Sequence, residues 1–295
     1  MPLGFRQVII NKRSVLSYRN NWLHIRSLDD VKKIFMDEVE MVIIENPACS
    51  ITAFCMVEMA KRNIKLVLCD EQHNPISEML PLYGSYDSSA KLAAQIKWTK
   101  STKNKVWQAI IRMKICQQAQ LLDLLGYKNQ RGLLLEEAKK VQLGDKTNRE
   151  GMAARIYFNA LFGLDFNRER SGETDFENSA LNYGYAVLTS LFNRSVVAAG
   201  YSTQLGIFHR SAENQFNLSC DLMEPFRSVV DYLVATSKAD TFDNVEKYRM
   251  ANLIFTEVKI DGFVQTLDNA VPIYLRSVFE ALNSGNVEAI LRYEL

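Results

Sequence analysis

Pro81-Leu-Tyr-Gly-Ser-Tyr-Asp87 is the stretch at which the hydrophobic pattern of this chain changes period. Proline, glycine, serine and tyrosine concentrate there and periodicity lapses, which reads as a linker. Upstream of it, apolar residues come in short β-branched runs; downstream, they recur every three or four positions. The pattern predicts an α+β chain. A small N-terminal β-rich, β-sandwich-like domain spans residues 1–80, a linker spans 81–90, and a larger all-α C-terminal domain spans 91–295.

Working outward, the upstream runs are Gln7-Val-Ile-Ile, Glu40-Met-Val-Ile-Ile and Ile64-Lys-Leu-Val-Leu-Cys. Ser14-Val-Leu-Ser-Tyr-Arg and Trp22-Leu-His-Ile-Arg flank Asn20-Asn21, and asparagine takes the positive φ that a two-residue hairpin needs. Ser50 is placed to cap a helix running through Met56, Met59 and Ala60. Asp70 to Pro75 reads as a turn cluster, with a last strand at Ile76 to Leu80. Beyond the linker, Asp87 caps a helix through Leu92, Ile96 and Trp98. Trp107, Ile110, Ile111, Lys114 and Ile115 continue at helical spacing, and further helical runs cover about 117–126, 131–141, 149–163, 176–199, 221–236, 243–258 and 265–283.

A chain of 295 residues with 47% hydrophobic content and a formal net charge of +1 is expected to be a soluble globular protein with room for two domains. No cationic-then-apolar leader opens it, and no apolar run approaches the roughly 20 residues that span a bilayer, so no membrane association and a cytoplasmic location are expected. The five cysteines are scattered and form no CxxC pair, which argues against a disulfide frame and a zinc knuckle. The near-balance of charge hides a polarity. Residues 1–28 carry five basic and no acidic side chains. Residues 91–155 carry fourteen basic against five acidic, and residues 211–295 carry seven against thirteen. A basic tract followed by an acidic one fits a polyanion track leading to a cation site, and equally fits solvated helix faces with ordinary ion pairs.

Four residues stand out as chemistry: Glu150, His209, Asp221 and Glu224. Asp221 and Glu224 lie three apart, so on a helix both project from one face. Pro225 suggests that they occupy a first helical turn, where acids also favour the helix dipole. Thr147 and Glu150 have the spacing of a capping box, and the small Gly151, Ala153 and Ala154 would admit close approach to Glu150. His209 is the only histidine after position 73 and sits before a polar, loop-like run. Each has a plain structural explanation; together they form the oxygen-and-imidazole ligand set suited to Mg²⁺ or Mn²⁺ acting on phosphate esters. No phosphate-cradling glycine loop, dinucleotide fingerprint or serine elbow is present, and a Cys220–His209 nucleophilic pair is poorly supported in its apolar frame.

Three separated segments then carry a resemblance: Leu16-Ser-Tyr-Arg-Asn-Asn-Trp-Leu-His-Ile-Arg, Asn148-Arg-Glu-Gly-Met-Ala-Ala-Arg-Ile-Tyr-Phe-Asn, and Asn214-Gln-Phe-Asn-Leu-Ser-Cys-Asp-Leu-Met-Glu-Pro-Phe-Arg. In order and spacing they resemble the universal CRISPR-associated integrase family, Cas protein one, in its type II branch, over essentially the whole chain. The resemblance implies that Glu150, His209 and Glu224 are catalytic metal ligands for Mg²⁺ or Mn²⁺, with Asp221 as an auxiliary ligand. It implies a metal-dependent DNA endonuclease and integrase that inserts captured DNA fragments, or spacers, into a CRISPR array by 3′-hydroxyl transesterification. It further implies a homodimer formed through the β domain, double-stranded DNA as captured fragment and as CRISPR repeat, a small ferredoxin-like partner (Cas protein two), and the type II effector nuclease with an accessory ring protein.

On that reading the basic residues gain a role. Arg13, Arg19, Lys103, Lys105 and Arg149 are candidate DNA contacts, Lys97, Lys100, Arg112 and Lys114 are further candidates for tracking phosphates, and Tyr18 or Trp22 could stack on a splayed base. Two other readings stay open from the residues: a catalytically silent DNA-binding scaffold of the acquisition complex, and a helical phosphohydrolase acting on small phosphoesters.

Overall fold

A computed structural model of the chain describes residues 6–62, 64–71, 75–79, 85, 87–169 and 175–295. The chain divides into two units, Met1–Leu82 and Tyr83–Leu295. Residues 81–84 and 86 of the expected linker lie outside the described residues, and its last three residues already belong to a helix.

The first unit contains strands β1 (Arg6–Ile10), β2 (Val15–Arg19), β3 (Trp22–Arg26), β4 (Val31–Phe35), β5 (Val39–Ile44), β6 (Ser50–Ile51), β7 (Lys65–Cys69) and β8 (Pro75–Glu78), with helix α1 (Ala53–Lys61). One sheet has the order β1-β5-β7-β8 and the other β4-β3-β2-β6. β1, β5 and β7 run parallel, and β8 closes that sheet antiparallel. Asn20 and Asn21 both take positive φ, 51° and 69°, and close the β2–β3 hairpin with Arg19 opposite Trp22. Val8, Ile10, Val42, Ile44 and Leu66 from one sheet share a single buried cluster with Leu16, Leu23 and Ile25 from the other, which is the sandwich-like arrangement. Cys55 and Met59 of α1 join this cluster. The cap of α1 is Thr52, accepting from the Cys55 amide; Ser50 instead enters β6. Strand β4 was not expected, because Val31-Lys-Lys-Ile-Phe carries two lysines and has no buried residue.

The second unit is mostly helical: α2 (Ser88–Ile96), α3 (Lys100–Leu124), α4 (Lys128–Lys140), α5 (Arg149–Phe162), α6 (Phe176–Ala198), α7 (Asn217–Met223), α8 (Arg227–Ala235), α9 (Asn244–Ala251) and α10 (Leu267–Ser284). Short 3-10 turns lie at Leu143–Asp145, Glu224–Phe226 and Asn252–Phe255. Helix α3 is the spine, touching α4, α5, α7, α8 and α10. It buries Trp107, Ile110, Ile111, Ile115, Leu121 and Leu122 along one flank. Among the described residues no helix is long and apolar enough to cross a membrane.

The expectation of an all-α second domain needs correction. A three-stranded antiparallel sheet, β10-β9-β11, is built from β9 (Glu257–Ile260), β10 (Phe263–Thr266) and β11 (Tyr293–Glu294). The helix expected over 243–258 ends at Ala251. Asp261 and Gly262 at φ 52° and 80° supply a two-residue hairpin turn, an Asp-Gly signal that outweighs the helical periodicity before it. Likewise the run expected as one helix over 221–236 is broken into α7, the Glu224–Phe226 turn and α8.

Candidate active site

Glu150 reaches the site because other residues take over the helix cap. Asp145 accepts hydrogen bonds from the amides of Arg149 (2.9 Å) and Glu150 (3.0 Å), and Asn148, at φ 49°, accepts from the Gly151 amide (3.2 Å). The expected Thr147–Glu150 capping box therefore does not form; Thr147 accepts from the Arg149 side chain instead. With the first amides of α5 satisfied, the Glu150 carboxylate meets the ammonium of Lys114 from α3 at 2.5 Å.

Glu224 arrives at the same ammonium from another direction. It follows the last residue of α7 and opens the short Glu224–Phe226 turn with Pro225 second, so Glu224 does lie in a first turn as Pro225 had suggested, whereas Asp221 lies inside α7 and outside its first turn. Glu224 Oε2 lies 2.5 Å from Lys114 Nζ and Oε1 lies 3.0 Å from Arg227 Nε. Burial alone would push this carboxyl's pKa up, but the Arg227 guanidinium and the Lys114 ammonium outweigh it and bring it to about 2. The two glutamates in turn overcome the burial of Lys114 and keep it charged. Arg227 is held from behind by stacking on Tyr185, 4.6 Å to the ring centre. The turn that carries Glu224 is pinned by the C-terminal strand: Tyr293 donates to the Pro225 carbonyl (2.8 Å) and its ring stacks on Phe226.

His209 and Asp221 form the second half. Asp221 is fully buried and accepts from the amides of Ile207 (2.6 Å), Phe208 (2.8 Å) and His209 (3.1 Å), and its Oδ1 lies 2.5 Å from His209 Nδ1. A carboxylate only accepts, so Nδ1 carries the hydrogen and the lone pair is left on Nε2. The hydrogen bond to Asp221 raises the imidazole's pKa, against the opposing effect of burial, and the charges of Glu224 and Glu150 act in the same direction as Asp221. The Trp107 ring lies edge-on to the imidazole and stacks flat on Phe208 at 4.5 Å. Gly206 is required beside this loop, because a Cβ there would stand 2.3 Å from the His209 carbonyl oxygen.

Of the four expected site residues, Glu150 and Glu224 thus meet at one ammonium, and His209 is paired with Asp221. Asp221, expected as an auxiliary metal ligand, has both oxygens engaged in holding the His209 loop. Lys114, expected to track phosphates, sits between the two glutamates. Among the described residues no three His, Cys, Asp or Glu side chains form a ready-made metal cage. The donor chemistry nevertheless suits a hard divalent cation: Glu150 and Glu224 close on one cationic position, and an oriented imidazole stands near enough to feel both charges. Burial raises the Cys220 thiol pKa, which works against the thiolate that a nucleophile needs.

The remaining cations divide. Arg13, Arg19, Lys105, Lys97 and Lys100 are exposed. Lys103 donates to the Gly206 carbonyl at 3.2 Å, and Arg149 pairs with Glu137 at 2.9 Å, so both also hold the fold. A concave basin of about 730 Å³ between α3, α4 and the start of α5 is lined by Arg112, Lys139, Lys140, Lys146 and Arg149 among others. Three of these, Lys139, Lys140 and Lys146, went unnoticed in the sequence, though their clustering within 139–149 was visible there. In the first unit, a hollow of about 430 Å³ is lined by Arg19, Asn20, Trp22, His24 and Lys33; Trp22 is partly exposed and packs edge-on to Phe35. Tyr18 is occupied by Phe54 and by Arg62 over its ring.

The family described as CRISPR associated protein Cas1 matches residues 8–248. A protein of Neisseria meningitidis serogroup C (strain 8013), named CRISPR-associated endonuclease Cas1, is 36% identical over 233 residues, covering 79% of this chain and 75% of its own. In fold the chain is similar to a casposase bound to integration product, at TM-score 0.79 and 19% identity over 95% of this chain and 91% of that one. It is also similar to a chain of a Cas6-RT-Cas1–Cas2 complex, at TM-score 0.74 and 18% identity, over 98% of this chain and 36% of that longer one.

Proposed function

This chain belongs to the Cas1 family of CRISPR-associated proteins, and from that premise we propose that it is a divalent-cation-dependent DNA endonuclease and integrase that inserts captured DNA fragments into a CRISPR array. The observation that carries the reading is the meeting of Glu150 and Glu224, from helices far apart in sequence, on one cationic position beside an imidazole oriented by a buried carboxylate. Glu150 and Glu224 would hold Mg²⁺ or Mn²⁺ by oxygen, and His209 would add Nε2. When bound, the cation would offset charge on the phosphoryl oxygens and favour ionisation of the attacking 3′-hydroxyl. Asp221 keeps His209 in the tautomer that leaves Nε2 free. Arg227 neutralises the second Glu224 oxygen and so holds that side chain in one orientation. The reaction is a transesterification: the 3′-oxygen of the captured fragment bonds to phosphorus in the repeat, and the repeat's own 3′-oxygen leaves.

The basin lined by Arg112, Lys139, Lys140, Lys146 and Arg149 would track DNA phosphates without reading sequence. The N-terminal unit would supply a homodimer contact, and the small partner Cas2 would complete the complex, as the named Cas1–Cas2 assembly of a fold relative suggests. The type II effector nuclease and accessory ring protein are partners on the strength of the family branch alone, to which the Neisseria relative lends support.

The test is strand transfer of a short 3′-hydroxyl duplex into a supercoiled repeat-bearing plasmid, with purified Cas2 and Mn²⁺. Wild type should give product, and His209→Ala should give none. Product from both would remove His209 from the site. Product from neither, with DNA binding intact and insensitive to chelator, would favour a silent scaffold.

A further inference from the structure

The four charged groups at the centre of the site already balance: Glu150 and Glu224 against Lys114 and Arg227. Both oxygens of the buried Glu224 are taken, one by each cation. A divalent cation added to this set would leave two excess positive charges in a place where Glu224 is 5% exposed, at a separation where like charges repel strongly. One of the resident cations must therefore yield. Arg227 is the less able to move: it is stacked on Tyr185 and sits three residues from the carboxylate it pairs with, at the start of α8. Lys114 carries its charge at the end of a flexible four-carbon stem on α3, and of the two cations it is the one that touches both glutamates.

We propose that Lys114 is the resident counterion of the carboxylate pair, and that a divalent cation enters the site by displacing its ammonium. This rests on the reading of Glu150 and Glu224 as cation ligands. Its consequence is a site that stays preassembled without metal, since the ammonium holds two acidic side chains from α5 and the Glu224 turn together. The cost is weaker metal binding. The cation competes with a tethered ligand, so its apparent affinity is reduced by the fraction of molecules in which Lys114 already occupies the position. Lys114 is on this account a positioning residue.

The test is Mn²⁺ binding to the full chain, read by the loss of the free-ion electron paramagnetic resonance signal, together with thermal unfolding with and without Mn²⁺. Lys114→Met removes the competitor at similar length, and Lys114→Gln removes the charge while still donating to one carboxylate. Both should bind Mn²⁺ at least about tenfold tighter than wild type. Without metal they should melt roughly 5 °C or more below it, and Mn²⁺ should restore more of the melting temperature than it adds to wild type. Affinity equal to or weaker than wild type in both variants would overturn the proposal. Should neither fold without metal, refolding in Mn²⁺ becomes the readout, and failure to recover would also overturn it. Glu150→Gln is the separate control: if it binds Mn²⁺ as wild type does, the ligand assignment itself fails, whereas loss of binding there with no gain in the lysine variants refutes the counterion role alone.

Discussion

Asp221→Asn removes one negative charge and changes no shape, and its effect follows from the four hydrogen bonds the carboxylate accepts. Oδ2 takes the amides of Ile207 and Phe208; Oδ1 takes the amide and Nδ1 of His209. A carboxamide offers one acceptor oxygen and one NH₂. If the oxygen faces Ile207 and Phe208, the NH₂ opposes the His209 amide and forces the imidazole to accept at Nδ1, moving its hydrogen to Nε2. If it faces His209, two backbone amides lose their partner in a buried place. Either way at least one bond to a charged group becomes a donor facing a donor, and at about 1.5–3 kcal/mol for such bonds the variant should lose roughly 2–4 kcal/mol. Urea unfolding measures this directly. Activity should fall about 10- to 100-fold, as for other residues that orient a ligating histidine. The imidazole resonances give an independent reading, because the chain has only three histidines. Asp221 raises the His209 pKa, so the stabilisation from their charge pairing is complete below the unfolded value of about 6.5 and is lost as pH rises through the folded pKa. In the variant that pKa should drop back, and the stability difference from wild type should be largest at the acidic end of this window. An unfolding free energy within about 0.5 kcal/mol of wild type, with an unmoved His209 titration, would refute the positioning role.

Gly206→Ala should displace the same loop, because the new Cβ would meet the His209 carbonyl oxygen at 2.3 Å and Asp221 Oδ2 at 2.9 Å. A loss of about 1–3 kcal/mol with reduced strand transfer is expected, and wild-type melting with full activity would contradict it. Asp231 is buried, accepts from Tyr157 (2.8 Å) and Tyr185, and burial, against the opposing help of those hydroxyls, raises its pKa to about 6. The folded state therefore holds this proton more tightly than the unfolded one, so its contribution to stability should fall by about 2 kcal/mol as pH rises from about 4 to about 6. Urea midpoints of wild type and Asp231→Asn across that range should diverge accordingly, and parallel curves would refute it. Changing Lys139, Lys140 and Lys146 to Gln together should weaken DNA binding and reduce the slope of log affinity against log salt by about 2 to 3, measured by fluorescence anisotropy; an unchanged slope would empty the basin of its role.

Much of the first unit could be read in advance, because its signals are local. The β-branched run Val39–Ile44 is buried at all six positions, and Asn20-Asn21 takes the backbone conformation that makes it a turn. The strand at Val31–Phe35 was hidden because an edge strand with lysines exposes both faces and shows no buried alternation. In the second unit the helical period was so sustained that it masked the β9–β10 hairpin, whose two-residue Asp-Gly turn carries less weight in a pattern search than the helices on either side. The long α3 was legible as apolar spacing. What it carries to the site was not, because Lys114 looks from sequence like one more member of a basic tract.

The same limit explains the misreading of the acids. Helical spacing couples Asp221 with Glu224, since residues three apart share a face. The fold separates them. Asp221 is turned onto a loop twelve to fourteen residues upstream and spends both oxygens there, while Glu224 finds its partner in Glu150, across the body of the unit, through a lysine on a third helix. A capping motif likewise claimed Glu150 on local grounds, and it was released only because Asp145 and Asn148 satisfied the helix start. Local rules therefore singled out these residues but coupled them differently from the fold, because side chains with both a structural and a chemical use are assigned by which of their neighbours can be satisfied elsewhere. The acid whose oxygens are consumed by buried amides becomes scaffold, and on the counterion proposal the acids balanced by the Lys114 ammonium remain exchangeable. That difference in replaceability, more than the spacing of carboxylates, is what makes Glu150 and Glu224, and not Asp221, the proposed places of cation entry.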